Sequence, residues 1–222
     1  MAELYVVRHG QASFGADDYD QLSALGEQQA FWLGQYWAER NIKFDKIIIG
    51  TQKRHRQTAE QLCLGLGHKA DFGLHAGLNE YDFYAIINAM EHQYPQVFEH
   101  TNADKRAFYQ TLKQALELWS TDQLDAVPEP WHGFMARVAN ALQCVKESNA
   151  KRVLVVSSGG PIAALTHQVL ECPTAVAIEL NMQVRNTSIC HYFFNSESIR
   201  LASFNNIPHL DQPDRMHAIT YG

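Results

Sequence analysis

Three short polar sequences, each following an apolar run of strand length, hold the residues best able to do chemistry. Val6-Val7 leads into Arg8-His9-Gly10, and Ile47-Ile48-Ile49 into Gly50-Thr51-Gln52-Lys53-Arg54-His55-Arg56-Gln57-Thr58-Ala59. Val153-Leu154-Val155-Val156 leads into Ser157-Ser158-Gly159-Gly160-Pro161. In open α/β sheets ligands bind beyond the carboxyl ends of the strands, so the three sequences have a physical reason to meet. Guanidinium groups around an imidazole disfavour its charged form and leave a neutral nitrogen able to attack an electrophile. His9 beside Arg8 fits that description, and Arg54 opens a helix whose N-terminal amides already favour anions. Ser158-Gly159-Gly160 adds a glycine turn and a second helix start, and Gly10 is expected to let backbone close on an anion. Each sequence alone has a plainer reading: a hydrogen-bonded core histidine, a solvated basic turn at Lys53–Arg56, a common glycine turn. Together, two arginines, a histidine and helix amides suit a tetrahedral dianion, which means a phosphoryl group.

The elements that must position these residues read as strands at about 3–8, 46–50, 153–157, 188–194 and 199–204, with helices at about 23–40, 52–66, 84–93, 104–119, 131–148 and 161–171. This alternation predicts an α/β fold. The first three strands are continuous apolar runs, as in central strands covered on both faces. The last two are expected to form an edge hairpin through the turn sequence Asn195-Ser196-Glu197-Ser198. Trp131, Phe134, Val138, Leu142 and Val145 mark one buried helical stripe. Pro161 suits a first helical turn, and Pro173 a position just past a helix end. From about 81 to 150 helix follows helix without a convincing strand, predicting a helical insertion within a single domain spanning 1–222.

Arg8-His9-Gly10 together with Arg54 in Lys53-Arg54-His55-Arg56-Gln57-Thr58-Ala59 resembles the histidine phosphatase superfamily, also called phosphoglycerate mutase-like. The likeness runs from residue 4 to about residue 210 in motif order. It implies a three-layer α/β/α fold with a mostly parallel central sheet, and phosphoryl transfer through a phosphohistidine. His9 would be the nucleophile, and Arg8, Arg54, Ser158 and Gly159 would hold the phosphoryl oxygens. Leu78-Asn79-Glu80 matches the family's Leu-x-Glu form, making Glu80 the general acid, a task that needs its pKa raised; Asp82 is the reserve. Tyr81-Asp82-Phe83-Tyr84 departs from the Gly- and Trp-containing sequence common there. A second departure is Ser158, which stands where the family's Ser-His-Gly-Gly has its second histidine. A neutral hydroxyl bonds phosphate less strongly than a charged imidazole, about 1 against roughly 1.5–3 kcal/mol, which predicts a rate lower by about tenfold or more. His209, His55 and Arg185 are candidates to compensate.

The reading that follows is a metal-independent phosphatase acting on a small phosphomonoester and releasing inorganic phosphate, with no cofactor. A phosphoester-binding protein with weak turnover is the alternative drawn from Ser158. A phosphomutase is disfavoured because Gln11-Ala12-Ser13-Phe14-Gly15 lacks the Glu-Ser-x-Trp-Asn form of sugar-phosphate mutases. A serine hydrolase fails because Val156-Ser157-Ser158-Gly159-Gly160 has no glycine two residues before a nucleophile. Eleven histidines include no His-Glu-x-x-His spacing, which argues against a metal hydrolase.

Composition narrows the partners. The net charge of −6 gives no cationic surface for nucleic acid. Apolar runs are far shorter than the ~20 residues that span a bilayer, so no membrane association is expected. Met1-Ala2-Glu3 runs straight into Leu4-Tyr5-Val6-Val7 without a basic start, so the protein is expected in the cytoplasm. Asn186-Thr187-Ser188 fits a glycosylation pattern but is set aside on the same ground. Cys63, Cys144, Cys172 and Cys190 are widely spaced and read as reduced packing residues. Four Trp and nine Tyr leave room for an exposed aromatic patch suited to a homodimer. Substrate choice is assigned to the helical stretch, with Tyr84, His92, Arg106 and Trp131 as candidates to face the pocket.

Overall fold

The structure, a computed structural model, describes residues 1–13, 20–69, 71–97 and 105–221. Its frame is a six-stranded sheet of β1 (Ala2–Arg8), β2 (Lys46–Ile49), β3 (Phe72–Leu74), β4 (Arg152–Ser157), β5 (Ile189–Phe194) and β6 (Ile199–Asn206). The strands lie in the order β3-β2-β4-β1-β5-β6. Pairs β2–β3, β2–β4 and β1–β4 are parallel, while β1–β5 and β5–β6 are antiparallel. The fold is therefore α/β with a mostly parallel sheet, and the last two strands are the expected hairpin at one edge.

Seven helices lie among the described residues: α1 (Ala24–Ala38), α2 (Lys53–Leu66), α3 (Phe83–Gln93), α4 (Lys105–Ser120), α5 (Trp131–Lys146), α6 (Gly159–Leu170) and α7 (Thr174–Gln183). They form layers on the two faces of the sheet, and β4 explains why. Leu154 and Val156 point into a core shared with Val7, Ile47 and Ile49 and with Leu33, Trp37, Ala59 and Leu62 of α1 and α2. Val153 and Val155 point the other way, into a core shared with Leu4, Val6 and Ile48 and with Phe134, Val138, Ile162 and Leu165 of α5 and α6. A strand buried on both faces must be apolar at every position, which is why its sequence does not alternate.

Two elements differ from the sequence reading. β3 is a three-residue edge strand with a glycine inside it and Leu74 largely exposed, too short and too wet to carry a pattern. Pro173, read as a stop signal after α6, is also the N-cap of α7, whose buried residues are only Ala177 and Ile178. The α5 stripe is Phe134, Val138, Ala141 and Val145, with Trp131 and Leu142 half-buried at its margins. The four cysteines are free thiols. Among the described residues no helix is long and apolar enough to cross a membrane.

Candidate active site

The parallel register brings three strand ends level. Arg8 pairs with Ser157 and Ile49 with Val156, while the amides of His9 and Gly50 donate to the carbonyls of Ser157 (2.8 Å) and Val156 (3.2 Å). The side chains that follow β1, β2 and β4 are thus delivered to one rim.

His9 is 5% exposed. Its Nδ1 lies 2.7 Å from the Gly10 carbonyl, which can only accept, so Nδ1 carries the proton and the neutral ring keeps its lone pair on Nε2. Burial first, then the charges of Arg54 and Arg8, hold the His9 pKa well below the usual histidine range. Asn186 Nδ2 donates to the His9 carbonyl at 3.1 Å and fixes the backbone from behind. Gly10 has a packing role. A Cβ there would stand 2.3 Å from the Gly26 carbonyl oxygen, so its missing side chain lets α1 pack against the end of β1.

Arg8 reaches across β1 and donates from Nη1 to the carbonyls of Val184 and Tyr221, both at 2.5 Å. Arg54, 5% exposed, donates to Asp20 Oδ1 at 2.7 Å and to Gln52 Oε1 at 3.0 Å. The same Gln52 oxygen accepts from the Glu80 amide at 3.0 Å, tying α2 to the Glu80 loop. Arg137 of α5, ion-paired to Glu129 at 2.7 Å, steadies that loop by donating to the carbonyls of Gly77 (3.1 Å) and Asn79 (2.6 Å).

Glu80 places its carboxylate at the start of α6, accepting from the amides of Gly160 (3.2 Å) and Tyr81 (3.3 Å). Burial pushes its pKa up, although these amides and the two arginines pull against the rise. A Cβ at Gly160 would lie 2.2 Å from Glu80 Oε1 and 2.4 Å from the Tyr81 ring, so only glycine allows this approach. Gly159 borders Arg8, with its Cβ position 3.9 Å from the guanidinium carbon. Ser158 is fully buried, and its Oγ is 2.7 Å from His55 Nε2.

Arg8, His9, Arg54, Glu80, Ser158 and Gly159 therefore share one site. Others do not join it. Asp82 caps α3 by accepting from the Ala85 amide at 2.9 Å. Arg185 donates to Tyr221 Oη at 3.3 Å. His209 sits behind the rim on Thr187 Oγ1 at 2.8 Å. Tyr84 is half-exposed and His92 exposed, while Trp131 packs edge-on against Trp119 at 5.0 Å. The Arg106 side chain and residues Phe14 and Gly15 lie outside the described residues. The sequence reading missed Asp20, Gln52 and Asn186, polar residues that hold the site's arginine and histidine. Among the described residues no cluster of three or more His, Cys, Asp or Glu is arranged to hold a metal ion.

These features carry a family assignment. The family model of the histidine phosphatase superfamily (branch 1) matches residues 4–207, and the chain belongs to that superfamily. A broad-specificity phosphatase of Saccharomyces cerevisiae is 38% identical over 61 residues, a stretch covering 25% of this chain and 26% of that protein. Among solved structures, the chain resembles a mutant phosphoserine phosphatase of Entamoeba histolytica in complex with phosphoserine, with TM-score 0.65, 21% identity and 95% and 100% of the two chains covered. It also resembles a phosphoglycerate mutase of Bacillus anthracis, with TM-score 0.66, 18% identity and 94% of each chain covered. A mycobacterial glucosyl-3-phosphoglycerate phosphatase gives TM-score 0.60 at 21% identity over 92% and 99%. At these identities the solved structures establish the fold.

Proposed function

We propose that this protein is a phosphatase that hydrolyses a small phosphomonoester through a phosphohistidine on His9. The observation that carries the reading is the His9 ring: neutral, with its lone pair on Nε2, and under the influence of Arg54 and Arg8. In the first step Nε2 attacks phosphorus in line and the bond from phosphorus to the ester oxygen breaks. Glu80, whose pKa burial raises, delivers a proton to the departing oxygen, so an alcohol leaves. In the second step Glu80, now a carboxylate, takes a proton from a water that attacks the phosphohistidine. Inorganic phosphate departs, and His9 is neutral again. Arg8 and Arg54 hold the phosphoryl oxygens while charge redistributes over them.

The test is to incubate wild type and His9→Ala with a phosphomonoester radiolabelled in its phosphate and quench in denaturant. Wild type is expected to carry acid-labile label and His9→Ala none; equal labelling overturns the proposal. Product analysis separates hydrolysis from a mutase, because label returned to an isomeric ester instead of inorganic phosphate denotes phosphoryl retention.

A further inference from the structure

One buried pair within this site is not used by the two steps above. His55 follows Arg54 on α2, its Nε2 lies 2.7 Å from Ser158 Oγ, and both side chains are fully buried. The His55 and His9 ring centroids are 5.8 Å apart. The other His55 nitrogen, Nδ1, is buried without a hydrogen-bond partner. It faces Gly50 so closely that a Cβ there would stand 2.1 Å away. An orphaned buried N–H is rarer than an orphaned acceptor, so the neutral ring carries its proton on Nε2. His55 is then the donor to Ser158 Oγ, and the serine hydroxyl must direct its own proton elsewhere. Ser158 is the N-cap of α6, yet its side chain bonds no amide of that helix, the usual employment of a serine there.

Resting on the phosphatase reading, we propose that His55 and Ser158 together replace a second imidazole in the phosphoryl pocket. Ser158 Oγ–H donates to a phosphoryl oxygen, while His55 Nε2–H donates to Ser158 Oγ and fixes its direction. Ser158 is the residue that touches substrate, and His55 is a positioning residue that acts through it. A chain of two such bonds polarises the outer one, which makes the hydroxyl a better donor than an isolated serine. The pair also adds no charge beside Arg8 and Arg54. Burial and Arg54 both keep His55 in its neutral form.

The experiment measures kcat and KM for p-nitrophenyl phosphate, with inorganic phosphate as product inhibitor, in wild type, Ser158→Ala, His55→Ala and the double variant. Each single change is expected to lower kcat/KM by about ten- to a hundredfold and to weaken phosphate inhibition. The double variant should lose no more than the worse single one, because both remove one device. Because His55→Ala opens a cavity, His55→Leu and His55→Gln accompany it. Leucine fills the space and should not restore activity, whereas glutamine retains a donor and should restore most of it. Ser158→His combined with His55→Ala should return activity to within about threefold of wild type. Losses that multiply, or equal rescue by leucine, overturn the assignment. So does a Ser158→Ala enzyme with unchanged kcat/KM and phosphate inhibition. If His9→Ala labels like wild type, the phosphohistidine reading itself has failed; if labelling depends on His9 while Ser158→Ala is silent, only this assignment has.

Discussion

The two ends of the site are built differently. At the end that the proposed function assigns to the phosphoryl group, His9 is held by its own amide on Ser157, its ring on Gly10 and its carbonyl under Asn186, while Arg8 spans to Val184 and Tyr221 and Arg54 is pinned by Asp20 and Gln52. His9 and Arg8 hang from the end of β1, whose register the core dictates, and Arg54 from the first turn of α2. At the end that the proposed function assigns to the leaving group, Glu80 lies in a loop and its carboxyl is held by two long bonds, to the amides of Gly160 and Tyr81. On the proposed mechanism, attack geometry would follow from the sheet, and proton delivery from a loop and one glycine. Preorganisation matters most where charge develops, so the proposed mechanism would want the rigid construction around phosphorus and latitude where the alcohol leaves.

Glu80→Gln separates the two ends most sharply, since it keeps the shape and removes the proton. For an alkyl phosphomonoester kcat/KM, which reports only phosphorylation of His9, should fall by about a hundredfold to ten-thousandfold. For p-nitrophenyl phosphate, whose leaving group needs no proton, kcat/KM should fall by less than about tenfold, while kcat drops for both esters because the second step loses its base. Equal losses in kcat/KM would mean that Glu80 acts on the phosphoryl group and would dissolve the distinction. Gly160→Ala attacks the same end indirectly. Its Cβ must displace the Glu80 carboxyl or the Tyr81 ring, so the alkyl ester should lose about ten- to a hundredfold in kcat while inhibition by inorganic phosphate hardly changes. A parallel rise in the phosphate inhibition constant would show that the helix start serves the phosphoryl end after all.

The same contrast governs what the sequence reveals. The central strands and the side chains at their ends are legible because burial on both faces demands unbroken apolar runs, and whatever polar residue follows such a run is conspicuous. β3 and α7 are not, because edge position and shallow burial free their residues from any period. Gly10 is ambiguous in sequence because a glycine reports only that something comes close, and in the structure the Gly26 backbone is what does. Asn186 could be read only as part of a glycosylation triplet, since its partner, the His9 carbonyl, is 177 positions away in the chain. For Ser158 the sequence offers three candidate partners, His209, His55 and Arg185, and choosing His55 needs two segments 103 positions apart to be brought level by β4.

Acidification acts on the two ends with opposite sign, which gives the gentlest test of the comparison. Behind the phosphoryl end, His209 is 1% exposed and burial brings its pKa down to about 3, with Arg215 adding to the effect. His9 and His55 are lowered likewise. An unfolded chain protonates these rings as pH drops below about 6.5, whereas the folded one resists, so stability falls steadily from there toward pH 4. Glu80 works in reverse. Its raised pKa is a penalty above the folded value that is relieved as the carboxyl protonates, so this end gains stability on acidification. Urea unfolding followed between pH 7.5 and 4 should show the histidine slope prevailing. His209→Gln, which can still meet Thr187, should reduce the loss at pH 4 by on the order of 1–3 kcal/mol and leave the slope above pH 7 unaltered. Glu80→Gln should steepen the loss slightly, because it removes a group that opposes it. A flat profile in wild type would mean that solvent reaches these imidazoles, and the rigidity assigned to the phosphoryl end would go with it.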